Sequence, residues 1–99
     1  MKRGHVYRIR YQDRSIDVLV VSDDQINAHV GGATVVQVYP QGERTPTLLS
    51  VPMETPLPGF AVTDRYSSFS AAHFTDDRGP VDARVMEAVE ISIRTVLGL

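Results

Sequence analysis

The sequence predicts a mainly β protein ending in one helix, a small, strongly bent antiparallel sheet with that helix packed on it, an α+β arrangement. Three observations carry this. Val18-Leu19-Val20-Val21 is an unbroken, mostly β-branched run, as a strand buried on both faces needs. Other short strand-like segments surround it, separated by Gly, Pro, Asn, Asp and Ser. Near the end, Val85, Val89, Ile93, Val96 and Leu97 recur at three- and four-residue steps, the stripe of an amphipathic helix.

Val6 to Tyr11 alternates, with Tyr7, Ile9 and Tyr11 on one side and Arg8 and Arg10 on the other, a half-buried strand. Gln12-Asp13-Arg14-Ser15 reads as a turn, and Ile16 to Ser22 returns as the central strand of a hairpin. Asp23 to His29 suits a helical turn capped by Ser22 or Asp23 and closed by Gly31-Gly32. Ala33 to Tyr39 is a Val-rich strand, and Pro40 to Pro46 is a loop with strong breakers. Thr47 to Val51 reads as a short edge strand flanked by prolines, and Glu54 to Gly59 as irregular. Phe60 to Thr63 and Phe69 to Phe74 are expected as strands around an Asp64-Arg65 corner. Thr75 to Pro80 reads as a surface turn, and Asp82 caps a helix over Ala83 to Leu97, with Glu90 and Arg94 paired on its outer face.

Ninety-nine residues, 42% hydrophobic and 22% charged, predict one globular domain, residues 1–99, with no room for a second core. Without cysteine there is no disulfide framework or thiolate metal site, which suits a reducing compartment. No apolar run approaches the roughly 20 residues of a membrane span. The start lacks a signal-peptide core, so a cytoplasmic protein is expected. His5, His29 and His73 are far apart and lack paired-ligand spacing, so no metal and no cofactor is expected. Gly31-Gly32 lacks the Lys and Ser/Thr of a phosphate loop.

A formal net charge of −2 argues against bulk attraction to nucleic acid. Charge is uneven, however: Lys2, Arg3, Arg8, Arg10 and Arg14 crowd the first hairpin, opposed locally only by Asp13. That face suits phosphate, or simply a solvated edge that deters aggregation. Tyr7, Tyr11, Tyr39 and Phe69 are candidates either for stacking on unpaired bases or for the core.

Three segments, in order, resemble the MazF/PemK family of toxins from bacterial toxin–antitoxin pairs. Met1-Lys2-Arg3-Gly4-His5-Val6-Tyr7 is similar to the family's basic-Gly-acidic-aliphatic-aromatic start. Val21-Ser22-Asp23-Asp24 with Asn27 three residues on resembles the segment after its central strand. Phe60 to Phe69, through Val62, Asp64 and Ser68, resembles its Val-x-x-Asp-Gln-x-x-Ser-Ile segment. The resemblance implies a barrel-like sheet of the MazF/CcdB type, close to an SH3-like barrel. It also implies an endoribonuclease that cuts single-stranded RNA without a metal, a homodimer with RNA in a shared groove, and a cognate antitoxin competing for that groove.

The RNA's own 2′-hydroxyl is the nucleophile in such cleavage. The protein then needs a cation at the scissile phosphate and proton carriers beside it. The family places Arg-Pro directly before the central strand, where this chain has Ile16 and Asp17; Arg14 lies two residues earlier as the substitute cation. The family's catalytic Thr or Ser closes the next strand, where this chain has Pro40 or Gln41. Asp64 matches the Asp of the Asp-Gln pair, with Arg65 in place of Gln, and alternatively anchors a turn. Arg14, Asp64 and His5 are therefore the candidate catalytic residues, with His29 a second possible proton carrier. Arg65, Arg10, Asn27 and Ser68 are the candidate substrate contacts. The alternative is a relative that binds RNA or antitoxin without cutting, or a CcdB-like gyrase binder, whose C-terminal finish Thr95-Val96-Leu97-Gly98-Leu99 loosely resembles.

Overall fold

The computed structural model describes residues 1–99. The strands are β1 (His5–Tyr11), β2 (Arg14–Val20), β3 (Gly32–Pro40), β4 (Ser50–Met53), β5 (Gly59–Ser70) and β6 (Phe74–Pro80). Two helices, α1 (Asp24–Val30) and α2 (Ala83–Leu97), and a 3₁₀ turn at Ala71–His73 complete the chain. All six strands form one antiparallel sheet in the order β4-β5-β3-β2-β1-β6. Its outer strands do not pair with each other, so the sheet bends but does not close into a barrel. No helix is long and apolar enough to cross a membrane.

The Val18–Val20 run lies in β2 between β1 and β3, and all three residues are buried. Alternation divides the core. On one face Val6, Leu19, Val36, Val38, Val51, Met53 and Ala61 pack with Val89 of α2, supported by Val85, Met86 and Ile93. The other face holds Tyr7, Ile9, Val18, Val20, Ala33 and Val35. Instead of a helix, the bend covers it with Phe69 from the end of β5 and Phe74 from the start of β6. Tyr11, Phe69 and His73 meet edge to face at 5.3–5.8 Å.

The caps follow the local signals. Asp23 accepts from the Gln25 and Ile26 amides, and Gly31 closes α1 at φ 69°. Asp82 caps α2 through the Arg84 amide, and Gly98 ends it at φ 72°. Glu90 pairs with Arg3 at 2.5 Å, not with Arg94: the folded N-terminus brings a guanidinium closer than the helix turn does. This hydrogen bond holds the Glu90 carboxyl below its ordinary pKa.

Four expectations need correction. The hairpin turn is only Gln12-Asp13, both at positive φ (50° and 62°), so Arg14 and Ser15 belong to β2. The edge strand begins at Ser50, three residues later than expected, after a turn in which the Thr47 amide donates to the Ser50 hydroxyl. Asp64-Arg65 does not separate two strands. It sits in a bulge of the continuous β5, where Val36 pairs with Tyr66 while Gln37 pairs with Val62. Thr75–Pro80 is most of a sixth strand rather than a turn; its polar sequence has low strand propensity, but β1 offers an open edge to which it pairs through two register shifts.

Candidate active-site cleft

Asp17 pairs with Val38, and the β2–β3 ladder ends there. Beyond it the start of β2 and the end of β3 form the walls of a cleft of about 310 Å³. Arg8 of β1, Arg14 to Asp17 of β2, Gln37 to Pro40 of β3 and Glu43 of the following loop line it. Two shallower depressions continue it across the sheet, and Ile16 and Gln37 line all three. One adds Tyr11 and Gln12; the other adds Arg65, Tyr66, Ser67 and Phe69. Arg14 and Arg65 thus flank one continuous concave strip. Alternation along β2 explains how the strip wraps the sheet end: Arg14 and Ile16 share the face of Val18, whereas Asp17 shares that of Leu19.

The cleft lining sets two arginines, Arg8 and Arg14, against two carboxylates, Asp17 and Glu43, and Arg65 adds a cation along the strip. Neither Arg14 nor Arg65 is in an ion pair, while the Arg8 guanidinium is held by the buried Asp17 carboxylate. Arg44 lies over the Tyr39 ring at 4.4 Å, adding a cation at the β3 end. A separate depression of about 280 Å³, beneath α1, is lined by Ile26, Asn27, Val30, Ser68 and Phe69 among others, with no charged side chain. Phosphate chemistry therefore favours the cleft.

The structure disperses the other predicted residues. His5 faces β6, its Nδ1 2.9 Å and 3.1 Å from the two carboxylate oxygens of Asp77, away from the cleft. Asp64 is exposed at the β5 bulge and does not line the depressions that Arg14 lines. Arg10 is exposed on β1 opposite Ser15, outside the cleft lining. Asn27 is 2% exposed; its amide donates to the Met1 and Ser22 carbonyls and its oxygen accepts from the Ser22 hydroxyl. The Thr34 amide donates to that same hydroxyl, so the Ser22–Asn27 segment clasps α1 between the N-terminus and β3. Ser68 shares a hydrogen bond with Thr34 at 3.2 Å. His29 lies in the exposed last turn of α1. Sequence reasoning missed Asp17, Gln37 and Glu43, and named Arg8 only as one of five cations of a possible phosphate-binding face. One signal was present: Asp17 interrupts the apolar pattern of a central strand, and buried carboxylates need partners.

The His5–Asp77 pair makes a pH prediction. The hydrogen bond from His5 holds the Asp77 carboxyl below its ordinary value, so the pair stabilises the fold above that value and loses its effect as pH falls through the folded pKa. Asp77 is 45% exposed, so screening limits the contribution to about 1 kcal/mol or less. Asp77→Asn is expected to melt a few degrees lower near neutrality, with the two melting curves converging below about pH 4. A constant difference across a pH series would contradict this. Nearby, burial pushes the Tyr7 hydroxyl up.

No family model matches the chain. Over 97 residues it is 26% identical to Endoribonuclease MazF4 of Mycobacterium tuberculosis, covering 98% of this chain and 92% of that one. The same figures hold for Endoribonuclease MazF1 of Mycobacterium bovis. An endoribonuclease solved in complex with its cognate antitoxin, from a mycobacterial species, superposes with a TM-score of 0.90 at 26% identity, covering 100% of this chain and 96% of that one. MazE–MazF (Form-II) from Deinococcus radiodurans has the same fold, with a TM-score of 0.87 at 17% identity, covering 100% and 96%. Fold and end-to-end sequence likeness agree with the three ordered motifs, and the chain is a MazF/PemK-like protein.

Proposed function

We propose that this protein is the toxin of a toxin–antitoxin pair and an endoribonuclease that cuts single-stranded RNA at the β2–β3 cleft. The observation that carries the reading is the position of Arg14. It lines the cleft beside Ile16 and Asp17, where the family resemblance puts its Arg-Pro, and beside Pro40, one of the two positions (Pro40 or Gln41) where it puts its hydroxyl. The 2′-oxygen attacks the adjacent phosphorus, the P–O5′ bond breaks, and the products are a 2′,3′-cyclic phosphate and a 5′-hydroxyl. The guanidinium neutralises charge gathering on the phosphorane oxygens. Glu43, a cleft-lining carboxylate in no ion pair, takes the 2′-hydroxyl proton, and solvent water in the open cleft gives the departing O5′ its proton. Arg65 and Tyr66 extend the track along the concave strip, the cation contacting phosphate and the 51%-exposed ring stacking on an unpaired base.

A cognate antitoxin is the expected partner. The mycobacterial neighbour was solved with its cognate antitoxin, and an acidic segment suits Arg14 and Arg65, the two arginines of the strip that are in no ion pair. Antitoxin and RNA then compete. A cytoplasmic homodimer with RNA along the strip completes the reading. The relatives carry the MazF name, and no observation favours the CcdB-like alternative.

The test is incubation of the purified protein with a long single-stranded RNA in excess chelator. Cutting should leave cyclic phosphate ends, stop when a 2′-deoxy nucleotide replaces the one before the scissile bond, and fall roughly tenfold in Arg14→Ala, about 1.4 kcal/mol of transition-state stabilisation. RNA left intact beside an active MazF relative would refute the nuclease reading.

A further inference from the structure

We infer that Arg8, reaching across from β1, is the principal phosphate ligand of the cleft, and that Asp17 is the residue that positions it. The inference rests on the nuclease reading and specifies how the site works where the family's arginine is absent.

The argument starts from burial. Asp17 is 5% exposed in a central strand, where an unpaired carboxylate would be strongly destabilising. Arg8 faces it directly in the β1–β2 ladder. The Arg8 Nε donates to Oδ1 at 3.3 Å and Nη2 donates to Oδ2 at 3.2 Å. From β6, the Arg78 Nη1 lies 3.6 Å from Oδ1. Two guanidinium groups therefore share one carboxylate, with Asp76 opposite Arg8 in the β1–β6 ladder and Glu43 in the cleft lining as the other acidic groups nearby.

The Arg8 guanidinium is accessible. The Arg8 side chain is 39% exposed and lines the cleft. A guanidinium carries five N–H donors; Asp17 occupies two, and three remain for a ligand. The fork suits two non-bridging oxygens of one phosphate. Arg14 has no anion to hold it, so its rotamer freedom must be surrendered on binding. Arg8 is already fixed, and a preorganised charge is the more effective one against a developing phosphorane. Asp17 occupies one of the two positions that the family fills with Arg-Pro. The cation is thus recruited from the neighbouring strand instead of the preceding residue. No proton moves to or from Arg8 during the step.

The experiment uses a fluorogenic RNA oligonucleotide carrying a site mapped on the long RNA. Steady-state kinetics are compared for wild type, Arg8→Ala, Arg8→Lys, Asp17→Asn and the Arg8→Ala/Asp17→Asn double variant, each with its melting temperature. Arg8→Ala should lower kcat at least tenfold with a smaller change in KM, and methylguanidinium should restore part of the loss. Arg8→Lys keeps a charge able to pair with Asp17, yet should also lose at least tenfold because an ammonium lacks the planar fork that holds two phosphate oxygens in parallel beside the Asp17 contact. Asp17→Asn should lower kcat in the wild-type background and do nothing further in Arg8→Ala, because it acts through that side chain. The inference fails if Arg8→Lys cuts within twofold of wild type, or if Asp17→Asn slows Arg8→Ala by its full factor, the mark of a purely structural ion pair. Wild type that leaves RNA intact overturns the nuclease reading itself. Normal cutting by the Arg8 variants with slow cutting by Arg14→Ala overturns only the present assignment.

Discussion

Leu19→Ala is expected to destabilise the fold by about 3 kcal/mol, within the range of roughly 2–5 for emptying a fully buried leucine site. Leu19 is wholly buried at the centre of the sheet, opposite Val6 on one side and Val36 on the other. Its side chain points to the face covered by α2, in the cluster that includes Val89. The backbone neighbours are held by ladder hydrogen bonds on both sides and cannot collapse into the void. The lost methyl groups therefore leave a cavity as well as a transfer penalty. For a chain of 99 residues, whose total stability is on the order of 5–15 kcal/mol, this is a large fraction. Urea titration should show a lower midpoint with an unchanged slope. A midpoint shift equivalent to less than about 1 kcal/mol would mean that α2 does not close over this part of the sheet.

Gly59→Ala is expected to cost about 3 kcal/mol and to impair the cleft as well. Gly59 opens β5 opposite Pro40 on one side and Met53 on the other. A Cβ there would overlap the Tyr39 carbonyl oxygen and come within 3.2 Å of the Pro40 Cα. Both are backbone atoms, so no side-chain rotation relieves the contact, and the cost falls at the upper end for overpacking. The strain must be relieved by parting β5 from the end of β3. Tyr39 and Pro40 form a wall of the cleft, so the displacement reaches the proposed chemistry. Paired measurements of melting temperature and RNA cleavage should therefore fall together. Alanine tolerated in both assays would show that the β3–β5 spacing is looser than described.

The two predictions separate what the core does from what the sheet end does. Apart from Val89 of α2, both core clusters lie within the ladders, whereas the cleft begins where the β2–β3 pairing ends. Backbone and side chains there are not fully committed to the fold. That freedom lets one side chain take over a role that the family resemblance assigns to another, provided its guanidinium reaches the same space. Arg8, opposite Asp17 in the β1–β2 ladder, lines the same cleft as Arg14, which is what the proposal requires.

Much of the architecture was legible in the sequence because the signals that carry it are local. A capping aspartate, a stripe at helical period and a glycine after it define α2 at both ends. The β-branched run identifies β2 as central, and Ser22-Asp23 marks its exit into α1. The motif order pointed to the family in the same way. Other features depended on partners distant in sequence. Thr75–Pro80 reads as a turn until β1 offers its edge, and Asp64-Arg65 reads as a corner until register with β3 makes it a bulge. Arg8 and Asp17 were countable as charges, but only the ladder made them a pair, and only burial made that pair consequential. Composition and short-range periodicity determined the fold class, the caps and the central strand. The tertiary structure alone decided the sixth strand, the open sheet and the Arg8–Asp17 pair at the cleft, because strand edges, register and ion pairing depend on which distant groups meet.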